Sequence, residues 1–372
     1  MKCPVKAYLH TTTALCLLLN VILLNAQTQD AKSKKNIQLL DIDFDPDTNY
    51  IVQYFEKVNF ALELEQRNFD LTLNNPLRED FGLLYRPNIP GNFGLAIDYS
   101  WLSIYLNLRT LRSEESVKRR GATRQFAFRF GVNRRAIWSN VFFIHSRGLF
   151  LQNPDLVFPD WNIKQNGYMK RPDIDKFTFF ANSTYAFNAK RFSYRAALWQ
   201  GELQKKSAGS PILGVFFRYN GFKSRSEKSL LPQEIGYLFP PNADLIAFRG
   251  FNIGVNVGYV YTLVILDHLF MTLSVWPGLA AQNGAFTLEN DIMRRAGFEW
   301  TSQVDTRFII GYNHPDFYFG FSTQNINFAG ADNFGGIVQN SYSWNRLFFG
   351  IRATAPPSMR KTFKMIEDRY FP

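Results

Sequence analysis

The chain has 372 residues, 46% hydrophobic and 16% aromatic, with a formal net charge of +11 and a mean hydropathy of −0.19. Its two cysteines, Cys3 and Cys16, both lie in the first 26 residues, so the remainder has no disulfide, thiolate metal site or cysteine nucleophile. Past the N-terminal leader no stretch stays apolar for the ~20 residues a membrane helix needs, which excludes a helical membrane protein but not one built of strands.

Lys2 and Lys6 precede an apolar run, Ala14 to Leu24, and the small residue Ala26 precedes a polar stretch. This pattern predicts a signal peptide over residues 1–26, cleaved after Ala26, and hence export. Removing it leaves 40 basic and 31 acidic residues, net +9. A basic exported protein is expected to meet anionic lipid headgroups, lipopolysaccharide or glycans, and no nucleic acid.

Residues 27–56 read as a polar, acidic leader, periplasmic or lumenal. Asp41, Asp43, Asp45 and Asp47 alternate there. A calcium loop starting at Asp43 would need Gly and Glu where Thr48 and Tyr54 stand, so a solvated acidic run is the plainer expectation.

From Val58 onward, period-2 segments alternate with turn residues. Strands are expected at 58–66, 81–86, 92–99, 101–109, 123–132, 138–147, 176–187, 191–200, 211–220, 248–263, 265–276, 297–312, 316–325 and 343–354. The clearest segment is 249–263. Phe251, Ile253, Val255, Val257, Tyr259 and Tyr261 form its apolar face, and the opposite face is mostly Gly and Asn. Successive strand residues point to opposite faces. An apolar wall with aromatic ends, backed by small polar residues, matches a tilted transmembrane strand of ~9–11 residues.

The expected fold is an antiparallel transmembrane β-barrel over 57–355, with about 12 strands (range 10–14). That estimate rests on the even strand numbers of single-chain bacterial barrels. Short links at 188–190 and 313–316 should lie on the periplasmic side, and long ones such as 148–175 and 221–246 outside. The alternation of short and long links goes out of phase across 201–210, so one strand somewhere is mis-split or missed. Pro356 and Pro357 end the barrel, and Phe363, Ile366 and Tyr370 recur at helical spacing, predicting a short periplasmic tail over 356–372.

If the apolar positions face lipid, Glu63, Glu65, Asp98, Arg109, Arg129, Arg195, Arg218, Glu299, Asp305, Arg307, Arg346 and Arg352 point into the lumen. A charge on the lipid face would cost ~2–4 kcal/mol near the midplane. Both signs are present, so the interior is either largely filled by ion pairs or a narrow arginine-lined path. The same facing predicts that Arg in place of Val255 blocks assembly and that Arg in place of Asn256 is milder.

His145, His268 and His314 have no second His or Glu at ligand spacing, and no serine sits in a G-x-S-x-G or beside a His. No cofactor, metal site or enzymatic activity is expected.

Arg171-Pro172-Asp173, Phe192-Ser193-Tyr194-Arg195-Ala196-Ala197 and Gln204-Lys205-Lys206-Ser207-Ala208-Gly209-Ser210 resemble the Bacteroidota outer-membrane group catalogued as domain of unknown function 4421. Tyr85-Arg86-Pro87-Asn88 and Asn256-Val257-Gly258-Tyr259 are also similar to its pattern. The resemblance covers residues 58–354 and implies an outer-membrane β-barrel inserted by the barrel-assembly machinery. It brings no catalytic or binding residue.

Two functional readings stand. One is an accessory barrel with a largely filled lumen, whose long loops bind surface glycan or a protein partner. The alternative is a narrow channel for small solutes. An outer-membrane hydrolase is a weaker third.

Overall fold

The computed structural model describes residues 45–75, 78–240, 243–290, 292–329 and 338–370. The signal-peptide reading and most of the acidic leader lie outside the described residues. In chain order the strands are β1 (Ile51–Gln53), β2 (Lys57–Asn75), β3 (Arg78–Arg86), β4 (Gly91–Tyr99), β5 (Leu102–Leu111), β6 (Arg124–Asn133), β7 (Ile137–Leu151) and β8 (Met169–Ala186). They continue as β9 (Glu202–Gln204), β10 (Ala208–Ser224), β11 (Leu245–Leu266), β12 (Leu269–Leu288), β13 (Met293–Asn313), β14 (Phe317–Ala329) and β15 (Val338–Thr354). The α-helices are α1 (Glu114–Arg120), α2 (Ile163–Asn166), α3 (Tyr194–Leu198) and α4 (Pro357–Tyr370).

Twelve of the strands close into one antiparallel ring in the order β2, β4, β5, β6, β7, β8, β10, β11, β12, β13, β14, β15, and β15 pairs back onto β2. Closure gives every ring strand two neighbours, as a strand-built membrane span requires.

β11 shows how the sequence sets the wall. Ile253, Val255, Val257, Tyr259 and Tyr261 are 43–57% exposed, whereas Asn252, Asn256, Val260 and Thr262 are buried. Leu62 and Leu64 on β2, Leu273 and Leu279 on β12 and Leu347, Phe349 and Ile351 on β15 continue the exposed apolar belt. Outward apolar and inward polar residues around a closed ring make this an antiparallel transmembrane β-barrel. Small inward residues make room for large ones. A Cβ on Gly94 of β4 would lie 2.4 Å from the Tyr105 hydroxyl, and one on Gly214 would lie 2.1 Å from Asn256 Oδ1.

The barrel begins at Lys57 and ends at Thr354 on one rim, paired with each other. The tight links at 267–268 and 314–316 lie on this turn rim, and the links of β7 to β8 and β10 to β11 lie on the opposite loop rim.

Three expectations are corrected. The segment 191–200 is not a strand. Ser193 caps α3 by accepting from the Ala196 amide at 3.0 Å, and the carbonyls that follow are bonded by lumenal side chains instead of a strand neighbour. Its alternation of Phe192, Tyr194, Ala196 and Leu198 is that of a segment packed inside the barrel, which also removes the phase error at 201–210.

The segments 81–86 and 92–99 are two halves of one descending strand. β3 pairs with the upper part of β2 (Leu71 opposite Tyr85) and β4 with the lower part (Glu65 opposite Asn92). Pro87 and Pro90, which cannot donate to a ladder, mark the break. The first strand is also longer than 58–66. It runs on to Asn75, because the buried series Glu63, Glu65, Arg67, Phe69, Leu71, Leu73 keeps its parity.

Beside this break the wall is thinly paired. β5 and β6 are in register only from Leu102 opposite Val132 to Leu106 opposite Phe128. Above that point β5 stays with β4 and β6 with β7, and Asn92 spans the gap, donating to Gln125 Oε1 at 3.1 Å and accepting from Asn107 at 3.3 Å. At the loop rim β3 meets β7 directly (Tyr85 opposite Leu151).

Candidate functional site

The candidate site is the interior, which is stopped at both ends by the chain itself. At the loop rim residues 225–240 turn inward. Leu230, Leu231, Ile235 and Phe239 pack among Leu71, Leu73, Tyr85, Ile174, Phe248 and Phe286 of the wall, all at most 7% exposed. Burying such side chains contributes about 1.5–3 kcal/mol each. Tyr85 donates its hydroxyl to the Leu230 carbonyl. Arg171 forks onto Asp173 (3.0 and 2.9 Å) and also donates to the carbonyls of Lys228 (3.1 Å) and Ser229 (2.7 Å). Ser224 and Ser226 donate to Asp173 Oδ2 at 3.0 and 2.6 Å. The sequence places 221–246 among the long outer links. Its apolar middle is instead a stopper.

At the turn rim the segment 187–207 folds up into the ring and pairs β9 with β1, so that residues 51–53 of the leader join the plug. The wall holds its backbone. Arg346 donates to the Leu198 carbonyl at 3.0 Å, Asn59 to Trp199 at 3.4 Å, Arg352 to Gln200, and Asn313 to Glu202 at 2.8 Å. Arg307 reaches the Tyr194 hydroxyl at 3.0 Å, and Trp138 stacks on Tyr194 with ring centres 4.2 Å apart. Glu202 accepts from Arg135 at 2.7 and 2.8 Å and from the Ser193 hydroxyl. Burial alone would raise this carboxyl, but Arg135, Arg195 and Ser193 outweigh it and hold it below its ordinary value.

Between the stoppers lies a ladder of buried ion pairs. Glu63 accepts from Arg129 and Arg346, each at 3.1 Å, and Glu65 from Arg67 and from the Trp344 indole at 3.1 Å. Asp305 pairs with Arg307 at 3.1 Å, and Asp98 with Arg195 at 3.2 Å. Arg67 and Arg129 both lie over the rings of Tyr105 and Trp344, at 4.8–5.0 Å, where ring faces add to their stabilisation.

A chamber of about 120 Å³ remains in the middle, walled by Phe142, Phe180, Tyr342, Trp344, Trp199 and the arginines Arg129, Arg218, Arg307 and Arg346. A second space of about 570 Å³ opens at the turn rim beside Trp101, Arg134, Arg135 and Glu367, and Trp199 borders both.

Of the residues expected in the lumen, Glu63, Glu65, Asp98, Arg129, Arg218, Asp305, Arg346 and Arg352 are at most 8% exposed. Arg307 is half-buried, and so is Glu299, which accepts from Gln282 at 3.1 Å, away from the ladder. Arg195 reaches Asp98 from the plug helix α3, not from a strand of the wall. The Arg109 side chain lies outside the described residues. Of the expected lipid-facing residues, Ile253, Val255, Val257, Tyr259 and Tyr261 are exposed and Phe251 is half-buried against Phe217 and Phe298.

Sequence reasoning missed Arg67, Trp199, Glu202, Trp344 and Arg135. Extending the β2 parity two residues past Glu65 finds Arg67, whereas the alternation in the plug at 192–198 imitates a strand and gives no sign of the roles of Trp199 and Glu202. His268 and His314, on neighbouring turns, meet edge to face with ring centres 5.3 Å apart. Among the described residues no three His, Cys, Asp or Glu converge as metal ligands.

Most of the motifs that carried the family resemblance fall on these stoppers. Arg171 and Asp173 clamp the upper one, residues 192–197 and Gln204 build the lower one, and residues 85–88 form the strand break.

No curated protein matches this sequence. Among solved structures it is similar to the outer-membrane protease OmpT of Escherichia coli, at 9% identity and TM-score 0.37, over 82% of this chain and 98% of that one. It is also similar to the β domain of the Bordetella autotransporter BrkA (8%, TM-score 0.35, 80% and 99% covered) and to the P. putida toluene transporter TodX (8%, 0.25, 81% and 90%). At such identities and scores none of their activities carries over. The sequence matches one family over residues 45–352, and the chain belongs to it: domain of unknown function DUF4421.

Proposed function

We propose that this protein is a closed outer-membrane barrel that works as a binding and scaffolding element, not as an open pore or an enzyme. The observation that carries the reading is the double closure of the lumen. An apolar stopper fills one end, a hydrogen-bonded plug fills the other, and paired charges lie between. Under the rule that barrels keep short turns inside and long loops outside, the turn rim faces the periplasm and the loop rim the cell exterior. With the lumen occupied, the chemistry available to a partner is on the loop rim. On that rim the half-buried Trp161 and the exposed Lys164 lie on the segment that packs against Arg119 of α1, and Tyr237 is 83% exposed on the stopper, a composition suited to a surface glycan, anionic lipopolysaccharide or a protein partner. The test is binding of lipopolysaccharide and capsular polysaccharide to the protein in nanodiscs. Saturable binding that falls when Trp161 and Tyr237 are replaced by Ala supports the reading, and binding unchanged by those replacements contradicts it.

A further inference from the structure

We propose that the outer wall over β6, β7, β8 and β10 carries, near the loop rim, a docking site for a phosphorylated lipid of the surrounding leaflet. The headgroup phosphate sits on a row of cations, and the acyl chains lie on an aromatic band below it. The site deepens the reading of the loop rim as the binding end and rests on it. Strand register builds the row. Arg124 on β6 is opposite Arg147 on β7, Arg147 is opposite Asp175 on β8, and Asp175 is opposite Lys223 on β10. Directly opposed residues of antiparallel strands share a face. Here it is the outer one, because Phe126, two residues along β6 from Arg124, is 54% exposed, whereas the alternate Ala127 and Ile144 are buried. Asp175 is the one acid of the row, and Arg225 already donates to it, with His145 at 3.7 Å. Among the described residues Arg124, Arg147 and Lys223 make no side-chain hydrogen bond or ion pair.

Like charges directly opposite one another on adjacent strands destabilise a sheet. A phosphate between Arg124 and Arg147 removes that repulsion, since its oxygens accept from both guanidiniums in the forked geometry they offer. Toward the turn rim the same wall becomes aromatic. Phe128, Phe143, Phe179 and Tyr219 are successive register partners, and Phe177 meets Tyr219 with ring centres 5.3 Å apart. Cations above a band of outward rings mark the boundary between headgroups and hydrocarbon. A free phosphate gains nothing from that band, so the ligand is a lipid. The link that carries Trp161 joins β7 to β8, the two strands that bear Arg147 and Asp175. A saccharide rising from a headgroup held on this row would therefore meet the loop rim there.

The experiment is native mass spectrometry of the intact, detergent-solubilised protein titrated with lipid A, the phosphorylated and acylated anchor of lipopolysaccharide. Lipid A stripped of its phosphates and inorganic phosphate are titrated beside it. The proposal predicts saturable binding of lipid A, at least tenfold tighter than of the stripped lipid. Arg124→Gln with Arg147→Gln should weaken it at least tenfold in a barrel that still folds, because neither side chain packs in the interior. Arg294→Gln with Arg295→Gln removes the same charge on β13, six strands away around the ring, and should stay within twofold of wild type. Equal binding of the stripped lipid, equal loss in the two arginine pairs, or no loss in the first pair would overturn the site. Inorganic phosphate competing as tightly as lipid A would also overturn it, as a site for a free anion. Binding that falls with Trp161→Ala and Tyr237→Ala, but not with the first arginine pair, would overturn this site and leave the loop-rim reading standing.

Discussion

Glu63 on β2 accepts a hydrogen bond from Arg346 on β15 at 3.1 Å, and these are the first and last strands of the ring. Its second oxygen accepts from Arg129 on β6, so one carboxylate joins the closure seam to another part of the wall. Removing one partner of a buried pair typically costs about 3–5 kcal/mol, because it strands the opposite charge. Glu63→Gln should therefore lower the temperature at which the folded, fast-migrating form is lost on a gel. Arg346→Met added to Glu63→Gln should recover part of that loss, and no difference from wild type for Glu63→Gln would contradict the ladder's structural role.

On the outer wall, Val255 is 52% exposed in the middle of the belt. Arg there should cost ~2–4 kcal/mol and deplete the protein from membranes, whereas Leu should be silent. Asn256 is not the mild control that its place on a polar face suggests. It is 7% exposed and packs against Gly214, so Arg there has no room either. Equal membrane yield for Val255→Arg and Val255→Leu would refute the facing.

Much of the wall is legible in the sequence because a β-strand exposes its environment with period 2. The facing of Ile253 to Tyr261 follows from that alone. The stoppers are not legible, for a physical reason. Residues 187–207 and 225–240 pack inside a barrel whose interior mixes aromatic, polar and charged side chains, so no solvent-facing side imposes a period. Phe192, Tyr194, Ala196 and Leu198 then imitate a strand. The only trace of the plug is indirect, in hairpin lengths that fall out of phase.

The lower plug should respond to acid through Glu202. Its folded-state value lies below the ordinary 4.5. The carboxylate's contribution is then complete above pH 4.5 and fades as pH falls through the lowered folded value. Hydrogen exchange of residues 192–204 should accelerate below pH 4.5 while the ring strands stay protected. Glu202→Gln should show the faster exchange already at neutral pH and lose the dependence. Plug and ring opening together at every pH would count against a separately held plug.

Between β5 and β6 the ladder ends at Leu106 and Phe128. Cysteines at Ile104 and Phe130, which are paired, should oxidise to a disulfide in the membrane-inserted protein. Cysteines at Leu108 and Phe126, one turn of the ladder higher and unpaired, should not. Efficient cross-linking of both pairs would mean that the wall is zipped through to the loop rim.

The central claim, a lumen closed at both ends, is tested most directly by single-channel recording of the refolded protein in a planar bilayer. The account predicts inserted, heat-modifiable barrels that carry no discrete ohmic steps at neutral pH. Steady conductance steps, altered in size by neutralising Arg129 or Arg307, would contradict it and turn the arginine-lined interior into a solute path.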